Sequence, residues 1–108
     1  MKNWELSKTW SVIVYPESAP YEWKKTLKDT AYRITISPLH TKDIENGEDI
    51  KNHYHIMAEC AEYISFGEIK SISNKLNSPT PIKIPSPSRY YDYLFNGYDE
   101  KDIEIFND

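Results

Sequence analysis

Between Ala31 and Ser37 the chain alternates: Tyr32, Ile34 and Ile36 fall on one face of an extended segment and Arg33, Thr35 and Ser37 on the other. A segment written this way is stable only as a strand whose apolar side is covered, and Pro38, which cannot donate to a ladder, ends it. The rest of the chain must therefore supply partner strands and a covering layer. Thr9–Tyr15, β-branched and aromatic and closed by Pro16, reads as a first strand after a short leader at residues 1–8. Residues 50–60 read as another, with His53 and His55 projecting from one face and Tyr54, Ile56 and Ala58 from the other. Ile82–Ile84 is a short last strand.

Helical spacing fills the gaps. Ser18 offers a cap, Pro20 suits a first turn, and Trp23 and Leu27 share a face four residues apart, so 18–28 is read as a short amphipathic helix. Ser65 with Glu68 has the capping-box form, and Ile69, Ile72 and Leu76 continue the stripe to about residue 76. Ser86 or Ser88 can cap a last helix over Arg89–Asn96, with Gly97 placed to end it. Residues 41–49 read as a polar loop, and 98–108 as an acidic tail that either docks or frays. The order strand, helix, strand, strand, helix, strand, helix defines an α+β domain, ferredoxin-like or RRM-like. Its antiparallel sheet is expected to carry helices on one face and leave the other open for binding.

A chain of 108 residues suits one such domain, spanning 1–108. The formal charge of −4 disfavours holding nucleic acid by overall attraction, so basic groups must act locally if a polyanion binds. A single cysteine, Cys60, makes no internal disulfide. With no signal-like apolar core and no apolar run of spanning length, a cytoplasmic setting without membrane contact is expected.

His53, His55 and His40 are the only histidines, and His40 lies just past the end of the alternating strand. If that strand pairs beside the His53–His55 strand, the three imidazoles and the carboxylate of Asp43 meet. Neutral imidazole, with a pKa of about 6.5, is ready to ligate near pH 7. Nitrogen and carboxylate donors suit Mn²⁺, Mg²⁺, Co²⁺ or Zn²⁺. Glu45, Glu48 and Asp49 compete with Asp43 as the oxygen ligand, whereas Glu59 sits too far along its strand. On the last helix Tyr90 and Tyr93 share one face and Tyr91 and Phe95 another. Most of these rings pack, but a phenol on the open face beside a Lewis acid is a candidate nucleophile.

Tyr15-Pro16-Glu17-Ser18, Ile36-Ser37-Pro38-Leu39-His40-Thr41-Lys42-Asp43, His53-Tyr54-His55 and Tyr91-Asp92-Tyr93-Leu94 follow one another in an order that resembles the HUH endonuclease domain of rolling-circle plasmid replication initiators. The resemblance runs from about Trp10 to Phe106. It implies that His40, Asp43, His53 and His55 hold a divalent cation, Mn²⁺ or Mg²⁺, and that Tyr93 is the nucleophile, with Tyr90 as the alternative. It further implies nicking and rejoining of single-stranded origin DNA through a 5′-phosphotyrosine and oligomerisation through a region outside this sequence; whether double-stranded origin repeats are also bound is left open. Asn96 departs from the pattern, where relatives often carry histidine. Lys42, Lys51, Arg33 and Arg89 are the candidate phosphate contacts. The rival expectation is a non-catalytic RRM-like nucleic-acid-binding module whose metal is structural or incidental.

Overall fold

The computed structural model describes residues 5–45 and 47–108, without the side chains of Glu45 and Asp49. Met1–Trp4 of the expected leader, Asn46, and Glu45 and Asp49 as competing ligands lie outside that description. The chain runs β1 (Leu6–Val14), α1 (Trp23–Lys28), β2 (Arg33–Ile36), β3 (Ile44–Glu45), β4 (Glu48–Asp49), β5 (Tyr54–Ser65), α2 (Phe66–Lys75), β6 (Ile82–Lys83), α3 (Pro87–Leu94) and β7 (Glu104–Phe106). Five strands form one antiparallel sheet in the order β6-β1-β5-β2-β7, and β3 and β4 pair separately as a small hairpin. Without the added edge strand β7, this is the split β-α-β order expected of a ferredoxin-like α+β domain.

The core lies between one sheet face and helices α1 and α2. Trp10, Val12 and Val14 of β1, Ile34 and Ile36 of β2 and Ile56 and Ala58 of β5 meet Trp23 and Leu27 of α1 and Phe66, Ile69 and Leu76 at α2. The indole of Trp10, fully buried, donates to the Ile64 carbonyl at 2.9 Å, so this large ring enters the core without an orphaned N–H. Ser65 caps α2 by accepting from the Glu68 backbone N–H at 3.1 Å, the interaction its spacing predicts.

Helix α3 lies elsewhere. Its Leu94, fully buried, packs with Met57 and Ile84 in a second cluster, and Met57 points away from the main core because it alternates with Ile56 and Ala58. So α1 and α2 share one face as expected, while α3 covers part of the face expected to be open. That is why β5 is buried on both sides from His55 to Ala58.

Other differences are local. Residues 5–8 are not a leader: β1 begins at Leu6, and the Glu5 carbonyl accepts from the Phe66 N–H at 2.8 Å. Helix α1 starts at Trp23, and Ser18 lies in the preceding turn, its carbonyl accepting from Asn77. The 41–49 loop contains the β3–β4 hairpin. The tail docks: β7 pairs with β2, and the Asn107 side-chain amide reaches the carbonyls of Lys28, Thr30 and Tyr32 at 2.9–3.0 Å. Among the described residues no helix is long and apolar enough to cross a membrane.

Candidate metal centre and nucleophile

A register slip creates the site. Ile36 lies opposite Ile56, but His40 lies opposite His53, so the segment after β2 carries one residue more than its partner. By strict alternation His40 shares the face of Ile34 and Ile36, inside the main core. The extra residue reverses that parity and turns His40 to the side of His53 and His55. Ser37 holds the bulge: its hydroxyl donates to the Pro38 carbonyl at 2.8 Å and accepts the His55 N–H at 2.9 Å. Two backbone bonds, His40 N to His53 O at 2.8 Å and His53 N to His40 O at 3.2 Å, then lock the histidines in place.

His40, Asp43, His53 and His55 each offer one donor atom, and the four atoms lie within 4.8 Å of one another. Asp43 Oδ2 is 2.9 Å from His40 Nδ1, 3.0 Å from His53 Nε2 and 3.9 Å from His55 Nε2, and the last two nitrogens are 3.2 Å apart. The outer ring nitrogens fix the tautomers. His40 Nε2 meets the Leu94 carbonyl at 2.8 Å and His53 Nδ1 the Lys51 carbonyl at 2.6 Å; a carbonyl has no hydrogen, so both nitrogens must donate. In the neutral rings His40 Nδ1 and His53 Nε2 are therefore bare lone pairs aimed at a carboxylate. Only His55 retains a proton to share inward, and the Tyr90 hydroxyl, 3.4 Å from its Nδ1, offers that proton an outer partner. Lone pairs crowded with too few hydrogens to link them are a cation site, and ligands at about 2.1 Å from one ion stand about 3 Å apart, the spacing of three of these pairs. The donor set fits a divalent cation.

The electrostatics agree. Burial, followed by the neighbouring His40 and His53, holds His55 down at about 4, so it is neutral at physiological pH. Burial works against the charge of Asp43, but the adjoining His40 and His53 and the Tyr98 hydroxyl together bring its pKa below the usual value. Glu48 is exposed and, among the described residues, Asp43 is the carboxylate in the cluster.

Tyr98 is the residue that sequence reasoning missed. Gly97, at φ +82°, turns the chain back after α3, and the Tyr98 ring stacks on His40 with centroids 4.5 Å apart. Its hydroxyl accepts the N–H groups of Thr41 at 3.0 Å and Lys42 at 2.9 Å and donates to Asp43 Oδ1 at 3.3 Å. It thus clamps the loop carrying Asp43 against the histidines. No sequence spacing pointed to it, because its partners lie more than fifty residues away.

The two candidate tyrosines differ in their surroundings. The Tyr90 hydroxyl is engaged with Ser11 Oγ at 2.5 Å and beside His55. Tyr93 is 47% exposed, its ring 5.1 Å from that of His55 and 6.4 Å from that of His40. Burial and the charge of Asp43 raise its pKa above the ordinary phenol value. Asn96 lines a small recess with His40, Asp43 and Tyr93. Among the candidate phosphate contacts, Lys42 is exposed with its ammonium 5.8 Å from the Tyr98 ring centroid, and Arg89 is exposed on α3 beside a cleft that also reaches Tyr93. Lys51 is exposed next to the site, its carbonyl bound to His53. Arg33 is already committed to Glu59 at 2.9 Å and Asp108 at 2.8 Å.

Fold and site define a class: a ferredoxin-like α+β domain with a His₃Asp candidate metal centre and an exposed tyrosine beside it. The family model described as "Plasmid replication protein, origin binding domain" matches residues 2–108, and the chain belongs to that family. It is 36% identical over 111 residues to the replication protein RepB of Lactiplantibacillus plantarum, covering 95% of this chain and 50% of that protein. It is also 37% identical over 75 residues to a replication protein of Staphylococcus aureus, covering 68% of this chain and 38% of that protein. The chain thus spans half or less of the length of these curated relatives.

Proposed function

We propose that this domain binds plasmid origin DNA and nicks and rejoins one unpaired strand there, with Tyr93 as nucleophile and His40, Asp43, His53 and His55 holding Mn²⁺ or Mg²⁺. The observation that carries the proposal is the cluster of outward-anchored, inward-bare imidazoles and one carboxylate next to a half-exposed phenol. When bound, the cation polarises a phosphoryl oxygen of the scissile phosphate and offsets the negative charge that builds there. The Leu94 and Lys51 carbonyls keep His40 and His53 in the ligating tautomer, and Tyr98 holds Asp43 in reach. Tyr93 Oη forms the bond to phosphorus as the bond from phosphorus to the 3′ oxygen breaks. The phenol gives up its proton and the departing oxygen takes one up, leaving a 5′-phosphotyrosine and a 3′-hydroxyl; resealing runs the same exchange backwards. Tyr93, its pKa above the ordinary phenol value, is protonated in the free protein at neutral pH, so the nucleophile is formed with the strand in place.

Incubation with a randomised pool of single-stranded oligonucleotides and Mn²⁺, followed by denaturing electrophoresis, tests this reading. A shifted covalent band that vanishes with chelator and in Tyr93→Phe is expected. A band of full yield in Tyr93→Phe removes that tyrosine from the role. Binding to origin DNA without any covalent band in the wild-type protein leaves the non-catalytic binding module as the function.

A further inference from the structure

A cleft of about 580 Å³ opens on the site face between α3 and the β1–β6 edge of the sheet, and its inner end is walled by His55, Tyr90 and Tyr93. Ile13, Ile82, Ile84 and Pro85 make its sides apolar, and Arg89 stands exposed at its rim. The metal cluster uses none of these side chains except His55. Tyr93 is shared between this cleft and the smaller recess of about 230 Å³ that contains His40, Asp43 and Asn96. Its phenol therefore stands on the divide between a small hollow of mixed lining and a larger, mostly apolar one.

We infer that the cleft is a nucleobase subsite, which unstacks and holds the base of the nucleotide adjoining the scissile phosphate. The inference rests on Tyr93 being the group that attacks. Any phosphodiester within reach of that hydroxyl brings two nucleosides with it, and an unpaired base has two apolar faces to shed from water. The recess on the metal side is less than half the size and mixes Asp43 and Asn96 with Ile44 and Ile50, so it offers a base less room and a less continuous apolar surface. The cleft on the other side presents aliphatic and aromatic surface continuous with Tyr93 itself and a volume that admits a base with its sugar. Arg89 at the rim supplies the cation for the next phosphate along, which fits a chain whose overall charge is −4 and whose attraction for the strand must be local. Holding the base here fixes the phosphate over Tyr93 and makes the domain's sequence preference strongest beside the cut.

The test uses the single strand that the wild-type protein captures covalently, resynthesised with one abasic position at a time. Affinities are measured by fluorescence anisotropy with the Tyr93→Phe protein, which cannot consume the strand. Removing the base next to the scissile phosphate, on one side of it, is expected to weaken binding about tenfold. In the same protein carrying Ile82→Ala or Ile13→Ala, neither of which lies in the main core, that abasic penalty is expected to shrink by at least half on the logarithmic scale. An equal penalty in cleft variants and parent, or no penalty at either flanking position, overturns the subsite and points instead to a protein segment as the occupant. Failure of the wild-type protein to capture any strand fails the nicking reading itself, a different result from capture followed by a flat abasic scan.

Discussion

Acid should unfold this domain through His55 before it titrates the exposed carboxylates. In the metal-free protein His55 is held at about 4, while in the unfolded chain it returns to about 6.5. Between those values the unfolded state binds a proton that the folded state refuses, so stability rises with pH across the window and falls as the pH drops through it. The separation is worth roughly 3 kcal/mol at ~1.36 kcal/mol per pH unit, fully felt only below about pH 4. Asp43 adds to the loss in the same direction but lower, because its pKa is depressed from a carboxylate value already near 4. Urea unfolding in excess chelator at intervals from pH 7 to pH 4.5 measures the effect. With a slope of about 1–3 kcal/mol per molar urea, the midpoint should move down by roughly 1–3 M over that range. His55→Gln, which keeps a neutral polar side chain, should be less stable than wild type at pH 7 and flatter with pH. If His55→Gln shows the same pH dependence as the parent, the buried neutral imidazole of His55 is not the cause and this route of acid unfolding is refuted.

Tyr98→Phe keeps the ring stacked on His40 but removes the hydroxyl that ties Thr41, Lys42 and Asp43 together; Mn²⁺ affinity measured by calorimetry should fall about 10–100-fold with the far-ultraviolet circular dichroism unchanged. Leu94→Ala cuts the fully buried anchor of α3 and should cost about 2–5 kcal/mol in chemical denaturation, with adduct yield lost together with stability. An adduct yield at the wild-type level in that variant means that α3 does not position Tyr93.

How far the sequence was legible depended on how local each cause was. The alternation of Tyr32, Ile34 and Ile36, the Ser65–Glu68 cap and the Trp23–Leu27 pair each depend on residues within a turn or two, and these elements stand close to where the pattern puts them. The capping role of Ser18 failed because the turn closed by Ser18 N and Ala19 N to Tyr15 O satisfies that segment first, delaying the helix to Trp23. The edge strand β7 was not readable, because three residues of alternation carry little signal until β2 offers them a ladder.

Side-chain chemistry, spacing and the strand period by themselves determined that His53 and His55 share a face and that three imidazoles and a carboxylate belong to neighbouring segments. Tertiary structure decided that they point the same way. Strict alternation sends His40 into the apolar core, and one extra residue opposite β5, held by the Ser37 hydroxyl, reverses it. It also decided that α3 crosses to the site face, that Tyr93 is half-exposed while the Tyr90 hydroxyl is engaged with Ser11, and that Tyr98 returns to grip Asp43. Each of these depends on which distant surfaces come into contact, a property of the assembled sheet and not of any window along the chain.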